Sequence, residues 1–275
     1  MILPAVAFFM VFLVYPVCNA FWVSLTAWDL TSPPRFIGLQ NYIELLSDDD
    51  VIHSALVTVY YSAGFLVVTL PLALALAVLL DRKIKGRAFY QLIIFLPVVL
   101  SMVAVAMIWR AVFAPNDGLY QLFSAPFGIH GVQWLNNPAL AMPSLIIVSV
   151  WKSVGYYLVI FLAGLQAIPV TVYEAAILDG AGPWRTFYFI TLPLLRPYLL
   201  FVSVVSIVRT SQAFGAIYAL TGGGPVDATT VLPFLIYQNA FLFNRMGYAS
   251  AIAVVLFLVL VVLTIIQFRV LRNET

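Results

Sequence analysis

The sequence contains few of the residues from which metal centres and disulfide bonds are made. Only 9% of its 275 residues are charged, and it has one cysteine, Cys18, and two histidines, His53 and His130. A single cysteine excludes disulfide bonds within the chain and cysteine-cluster metal sites. The histidines stand far apart without other ligand residues beside them, which favours loop positions over a metal site. We therefore expect no metal and no cofactor in this chain.

The motifs of enzyme active sites are also missing. The sequence has neither the residue pattern of a catalytic triad nor a Gly-rich nucleotide loop. The stretch TGGGP at 221–225 looks like a phosphate loop only superficially, because it lacks the Gly-Lys-Ser/Thr ending of such loops. We predict that the chain is not an enzyme.

Apolar residues are present in large excess. They make up 64% of the sequence, and the mean hydropathy is +1.06. Soluble domains contain about 45–50% apolar and about 25% charged residues. A water-soluble fold cannot bury so much apolar surface, so the composition predicts an integral membrane protein.

Six stretches are long enough to cross a bilayer as helices, which takes about 20 mostly apolar residues. They are 2–28, 55–80, 88–112, 142–165, 197–220 and 248–268. The first could be a signal peptide, but it lacks a basic start and is too long, so we interpret it as a span. The sequence thus predicts an all-α integral membrane fold with six transmembrane helices, formed by one domain over 1–275.

Lysine and arginine residues predict the orientation of these spans. One set of connections and ends carries eight of them: Arg82, Lys83, Lys85, Arg87, Arg185, Arg196, Arg269 and Arg272. The opposite set carries only Arg35 and Arg245. Because cytoplasmic loops are enriched in these residues, the first set and both termini are predicted to be cytoplasmic. On the outer side we expect a short amphipathic segment at 39–46 and a loop at 114–141.

The predicted cytoplasmic loop at 169–193 contains the sequence EAAILDGAG. Thr171 and Glu174 have the spacing of a capping box, and Pro183 suits the start of a second short helix. We therefore expect two short helices outside the membrane. Under a structural interpretation, Glu174 only caps the first helix and Asp179 pairs with Arg185.

The whole loop matches a longer pattern, EAA, three residues, Gly, nine residues, then Ile-x-Leu-Pro. The matching residues are Glu174, Ala175, Ala176, Gly180, Ile190, Leu192 and Pro193. This pattern resembles the EAA loop of binding-protein-dependent ABC importer permeases, with their MetI-like, type I transmembrane domain. The resemblance implies that the first short helix, including Asp179, couples the spans to an ATPase. Glu174 would then enter the ATPase cleft, the two alanines would allow close approach, and Gly180 would permit the turn.

Other segments resemble the carbohydrate-uptake branch of this family, which includes maltose and glycerol-3-phosphate permeases. They are FIGLQNY at 36–42, FLAGLQAIP at 161–169, TGGGP at 221–225, IYQNAF at 236–241 and GYASA at 247–251. The resemblance implies a bacterial or archaeal cell membrane and three kinds of protein partner. These are a second homologous permease, an ATPase dimer that holds Mg-ATP, and an extracytoplasmic solute-binding protein; no nucleic acid is expected.

Two cations fall near the middle of predicted spans, Lys152 in the fourth and Arg209 in the fifth. Such charges are costly at a helix centre, about 2.5–3.5 kcal/mol on insertion scales, so neither should face lipid. Polar residues share an arc with each, which predicts a water-filled cavity between the two helices. The candidate cavity residues are Lys152, Ser153, Tyr156, Ser206, Arg209, Gln212 and Tyr218. Alternatively, carboxylates of a partner subunit pair with the cations, and the aromatic residues only pack.

The function expected from these features is import of a di- or oligosaccharide delivered by an external binding protein. The two cations leave glycerol-3-phosphate or a glycerophosphodiester as the alternative cargo. An ion-coupled secondary transporter is a further alternative. It is disfavoured because such proteins often carry acidic residues within the membrane, and here every Asp and Glu falls in a loop or near an end.

Overall fold

The apolar stretches of the sequence form helices. The computed structural model describes residues 2–82, 84–124, 126 and 130–272. Fifteen α-helices lie in this part of the chain: α1 (Leu3–Phe9), α2 (Tyr15–Val23), α3 (Gln40–Leu46), α4 (Asp49–Asp81), α5 (Arg87–Val99), α6 (Met102–Val112), α7 (Gln121–Ser124), α8 (Pro138–Ala167), α9 (Val170–Leu178), α10 (Pro183–Thr186), α11 (Leu192–Leu194), α12 (Arg196–Ser211), α13 (Gly215–Leu220), α14 (Leu232–Tyr237) and α15 (Met246–Arg272). Lys83, the side chain of Arg272, and residues 125 and 127–129 of the predicted outer loop lie outside the described residues.

Four of the spans are long, continuous helical segments. They are Leu3–Val23, which joins α1 and α2 through the π-helical turn Met10–Val14, then α4, α8 and the Met246–Arg269 part of α15. Two more spans are bent: α5 with α6, at 103°, and α12, which meets the preceding Pro183–Leu194 segment of the 169–193 loop at 65°. Counted in this way the described residues hold six spans, and the predicted all-α membrane fold is confirmed.

Two predicted spans are not single helices. The stretch 88–112 breaks between α5 and α6, where Leu100 and Ser101 are extended with ψ of 144° and 148°. The stretch 197–220 ends its long helix at Ser211, and α13 starts only at Gly215. The second span, by contrast, starts earlier than the predicted residue 55. Asp48 caps α4 by accepting a hydrogen bond from the backbone amide of Asp50 at 2.9 Å, so the acidic run begins this helix.

Helix α8 lies at the centre of the bundle. In its most apolar 18-residue window 61% of the residues are buried, against 6% in the first span. Tyr157 and Phe161 of α8 are fully buried, and the Tyr61 hydroxyl of α4 donates to Ser149 Oγ at 2.7 Å. Within lipid, the hydrophobic effect does not drive helices together, so their association depends more on close packing of the backbones at small residues. At Gly155 a Cβ atom would lie only 2.3 Å from the carbonyl oxygen of Ile94 in α5.

A small assembly surrounds α3, in the region that the sequence predicts to lie on the outer side. Strands β1 (Thr26–Ala27) and β2 (Arg35–Phe36) pair antiparallel, with Thr26 opposite Phe36. Asn41 Nδ2 donates to the carbonyl oxygen of Thr26 at 3.0 Å, and Arg245 at the start of α15 forms an ion pair with Glu44. Between the strands, the backbone amide and hydroxyl of Ser32 hold the pKa of the Asp29 carboxyl well below its ordinary value. The predicted amphipathic segment is therefore the helix α3, fixed to both its neighbours.

Candidate functional site

The 169–193 loop forms a compact tip between α8 and α12. Only Ile168 and Pro169 separate the end of α8 from the start of α9. The chain reverses at Gly180, whose φ of +74° suits glycine, and continues through α10, a π-helical turn and α11 into α12. Thr191 Oγ1 donates to the hydroxyl of Tyr173 at 3.3 Å, which ties the returning segment to α9. Helix α9 is thus linked to both flanking spans, through the chain to α8 and through this hydrogen bond to the segment that leads into α12.

The predicted capping box is wrong. Pro169 occupies the N-cap position of α9 with an extended ψ of 136°, and no side chain caps the helix. Because the helix begins at Val170, Thr171 lies inside the first turn and Glu174 lies beyond the third helical position. The alternative pairing of Asp179 with Arg185 is also absent from the described part of the chain, where neither Glu174 nor Asp179 makes a side-chain hydrogen bond or ion pair. Both carboxylates therefore remain available to a partner.

The exposed face of the tip mixes these carboxylates with large apolar side chains. Leu178 is 88% exposed, Ile177 71% and Trp184 74%. Glu174, Ala175, Asp179 and Gly180 share this exposed tip, whereas Ala176 is buried against the returning segment. Ile190, Leu192 and Pro193 are half-buried and shape the return to α12. The predicted coupling residues thus divide into an exposed set on the tip and a set that supports it.

The two central cations line one cavity, as expected from their depth. This cavity has a volume of about 230 Å³ and is lined by Tyr61, Phe65, Met102, Ser149, Lys152, Ser153, Tyr157, Arg209, Thr210, Ala213, Gly215 and Ala216. Among the described residues, no three His, Cys, Asp or Glu side chains lie close enough together to hold a metal ion. The cavity therefore combines two cations, several hydroxyl groups and aromatic walls.

Arg209 is exposed and lies over an aromatic ring. Its Cζ atom is 4.3 Å from the centre of the Tyr156 ring, a cation–π distance. Ser206, one turn earlier on α12, is fully buried behind the cavity lining. No carboxylate pairs with Arg209 within the residues that the structure describes. The guanidinium group is therefore accessible to a solute.

Four of the seven predicted cavity residues do not line this cavity: Tyr156 and Ser206, described above, and also Gln212 and Tyr218. Gln212 is exposed at the end of α12, and Tyr218 is 54% exposed on α13. The Tyr218 ring stacks on Phe214, with ring centres 5.2 Å apart, and meets Tyr237 edge-on at 5.6 Å. The prediction extended helical spacing through one helix, but the chain turns after Ser211, so the faces of α12 and α13 do not continue each other.

Lys152 makes contacts that sequence reasoning did not anticipate. Its ammonium group donates to the carbonyl oxygens of Leu100 at 2.8 Å, Val98 at 3.2 Å and Pro97 at 3.4 Å. These carbonyls lie at the end of α5, where the third span breaks. The only sequence signal for this partner was Pro97 with Ser101 following it, since a proline and a helix-capping residue close together can mark a helix boundary.

The described residues thus form a helical membrane domain with an exposed tip and a polar central cavity. Residues 69–273 match the family described as binding-protein-dependent transport system inner membrane component. The chain belongs to this family. It is a multi-pass membrane permease subunit, which confirms the predicted resemblance and the prediction that the chain is not itself an enzyme.

Individual relatives are similar over nearly the whole chain. The trehalose/maltose transport system permease protein MalF of Thermococcus litoralis is 35% identical over 274 residues, which cover 99% of this chain and 92% of the relative. The sn-glycerol-3-phosphate transport system permease protein UgpA of Escherichia coli O157:H7 is 36% identical over 276 residues, 100% of this chain and 93% of the relative. A crystal structure of a bacterial ABC transporter involved in the import of the acidic polysaccharide alginate matches with a TM-score of 0.88 and 25% identity, covering 100% of this chain and 94% of that chain.

Proposed function

We propose that this chain is the membrane permease of an ATP-driven importer for a di- or oligosaccharide. An external binding protein delivers the solute, a second homologous permease completes the pathway, and two ATPase subunits carry Mg-ATP. The observation that carries this proposal is the exposed tip formed by α9 and α10, where Leu178 is 88% exposed beside two carboxylates that have no partner among the described residues. An apolar patch of this kind at a loop marks an interaction site for another protein.

The tip is proposed to face the cytoplasm together with both termini. The support is the distribution of basic residues, since Arg82, Arg185, Arg196 and Arg269 belong to the same side of the bundle by connectivity. In this orientation α9 enters a cleft of the ATPase, Glu174 supplies the polar contact, and Ala175 permits close approach. Closure of the ATPase dimer would then move α8 and α12, between which the cavity lies.

The cavity chemistry favours a sugar. The half-buried Ser153 lines the cavity and offers a hydroxyl to the hydroxyl groups of a sugar, while the Tyr156 ring beneath Arg209 is partly exposed and suits the apolar face of a pyranose ring. One observation favours the alternative cargo, glycerol-3-phosphate or a glycerophosphodiester. The exposed guanidinium of Arg209 has no carboxylate partner among the described residues and could bind a phosphate through bidentate hydrogen bonds.

ATP hydrolysis by the complete complex in lipid, with its binding protein, tests both the class and the cargo. Neutral di- and oligosaccharides are compared with glycerol-3-phosphate and glycerophosphodiesters, and we expect stimulation by a neutral saccharide. Stimulation by the phosphate compounds alone would replace the sugar proposal with the alternative.

The same assay tests the docking tip. Glu174→Arg should lower solute-stimulated hydrolysis and uptake at least about tenfold, because it removes a hydrogen-bonding carboxylate whose contact is worth about 1.5–3 kcal/mol, and about 1.4 kcal/mol corresponds to a factor of ten. Asp117→Arg makes the same charge change at an exposed carboxylate of the outer loop and should leave the complex active. Normal uptake by the Glu174→Arg complex would contradict the docking role.

A further inference from the structure

The break in the third span leaves backbone groups that the helices themselves cannot satisfy. The last carbonyl groups of α5 and the first amides of α6 lack the backbone partners that a continuous helix would give them, although the Pro97 carbonyl oxygen accepts a hydrogen bond from the Leu100 amide at 3.3 Å. On the α6 side, Ser101 Oγ accepts a hydrogen bond from the Ala104 amide at 3.2 Å. In a membrane, unpaired carbonyl groups on the α5 side would be costly, because no bulk water is present to solvate them.

Lys152 satisfies the α5 side. Its ammonium group lies within 2.8–3.4 Å of three carbonyl oxygens, those of Pro97, Val98 and Leu100. A positive charge is favoured at a helix C-terminus, where the helix dipole is negative. An ammonium group that already donates to three acceptors has no hydrogen left for a solute. These contacts make Lys152 a structural partner of the break.

The position of Lys152 relative to the break is set by backbone packing one turn further along α8. At Gly155 the two helices approach so closely that a Cβ atom would lie 2.8 Å from the Cα atom of Phe95. Beyond the break, Met102 at the start of α6 lines the same cavity as Lys152. A shift of α8 therefore acts on the break and on the cavity wall together.

Helix α8 also leads directly to the docking tip. Lys152 lies 15 residues before Ala167 (167 − 152), which is about 22 Å along a helix, and α9 begins at Val170. Helix α8 is continuous and largely buried from Lys152 to its end, so it provides a direct structural connection between α9 and the level of Lys152.

We propose that Lys152 is a positioning residue that ties α8 to the break between α5 and α6, so that movement of α9 sets the bend of the third span. This replaces the solute-binding role expected for Lys152 from the sequence. The proposal rests on the proposed docking of α9 to an ATPase. The tie itself, however, can be measured without nucleotide and so can fail or hold independently of that docking.

Lys152→Met is the informative variant, since methionine is similar in length and has no hydrogen to donate. In the complete complex in proteoliposomes, we expect maximal uptake to fall about tenfold or more, while the solute concentration for half-maximal uptake changes less than about twofold. Lys152→Arg, which keeps donors and charge, should recover at least about half of the uptake. Lys85→Met makes the same chemical change at an exposed lysine of the α4–α5 connection and should behave as the unsubstituted protein.

If Lys152 instead bound the solute, the effect of Lys152→Met on the half-maximal concentration and on maximal uptake would be reversed. The half-maximal concentration would rise about tenfold with maximal uptake retained, and the proposal would be overturned. Failure of Lys152→Arg to recover more uptake than Lys152→Met would also count against a tie made by hydrogen bonds.

A distance measurement keeps the test valid if uptake is lost through misassembly. Spin labels at Leu92 of α5 and Met107 of α6, both exposed, report the bend in a Cys18→Ser background. Without nucleotide, the Lys152→Met complex should show a broader distance distribution than the complex with Lys152. With ATP, only the complex with Lys152 should shift. Equal distance distributions in the Lys152 and Lys152→Met complexes would refute the tie. If the Glu174→Arg complex has the same distribution as the unsubstituted complex but does not shift with ATP, the tie is intact and the fault lies in docking.

Discussion

Replacement of Gly155 by alanine tests how closely α8 must approach α5. The added Cβ atom would lie 2.3 Å from the Ile94 carbonyl oxygen and 2.8 Å from the Phe95 Cα atom. Optimal separations between such atoms are about 3.5 Å, so the helices must part by about 1 Å. Both neighbours are backbone atoms that cannot rotate away, and overpacking of this kind costs about 1–3 kcal/mol. At about 2 °C per kcal/mol for a chain of this size, we expect the melting temperature to fall by about 2–6 °C.

The assay is the fraction of complex that survives heating, measured by size-exclusion chromatography in detergent. Gly215→Ala is the matched control, since its Cβ atom would meet only the flexible Met102 side chain at 3.6 Å, an ordinary contact. Because Gly215 begins helix α13, alanine should leave the melting temperature unchanged or raise it slightly. Equal melting of Gly155→Ala and Gly215→Ala would refute the argument that the α5–α8 contact has no spare room.

Two further substitutions probe other contacts of the bundle. Tyr61→Phe removes the donor to Ser149 Oγ at a buried site and should lower the stability by about 0.5–1.5 kcal/mol. We expect the melting temperature to fall by about 1–3 °C. An unchanged melting temperature would mean that this hydrogen bond makes no net contribution to stability. Gly247→Ala would place a Cβ atom 1.9 Å from the Thr26 carbonyl oxygen and should loosen the assembly around α3. We therefore expect a protease to cleave residues 30–34 faster. An unchanged cleavage rate would contradict the close contact at Gly247.

The number of spans could be predicted from composition, but their shapes could not. Hydropathy counts apolar side chains and responds weakly to backbone geometry, so 88–112 reads as one span although Leu100 and Ser101 are extended. A helix break in lipid needs an outside partner for its freed carbonyl groups. That partner, Lys152, is more than 50 residues away in sequence, as the separations in its hydrogen bonds show. No local pattern contains this information.

In the docking tip, too, the sequence predicted where the segment lies but not its backbone geometry. The EAA pattern identified its segment, because the pattern specifies residue types at fixed spacings. The capping-box interpretation was wrong because the sequence does not fix the residue at which a helix begins. Pro169 has an extended ψ of 136°, and the first helical residue is Val170 rather than the residue after Thr171. The error has a consequence for function, since Glu174 is not used to cap α9 and is left for a partner.

The sequence did not distinguish the two central cations, whereas the structure gives them different contacts. Lys152 faces the freed carbonyl groups of α5 and is occupied by them. Arg209 lies over the Tyr156 ring and keeps its guanidinium group exposed. With the role proposed here for Lys152, the cavity offers a solute one cation rather than two. A single guanidinium beside aromatic rings and hydroxyls can donate to the hydroxyls of a neutral sugar, whereas tight binding of a phosphate usually recruits several donors. This difference makes the saccharide the expected stimulant in the hydrolysis assay.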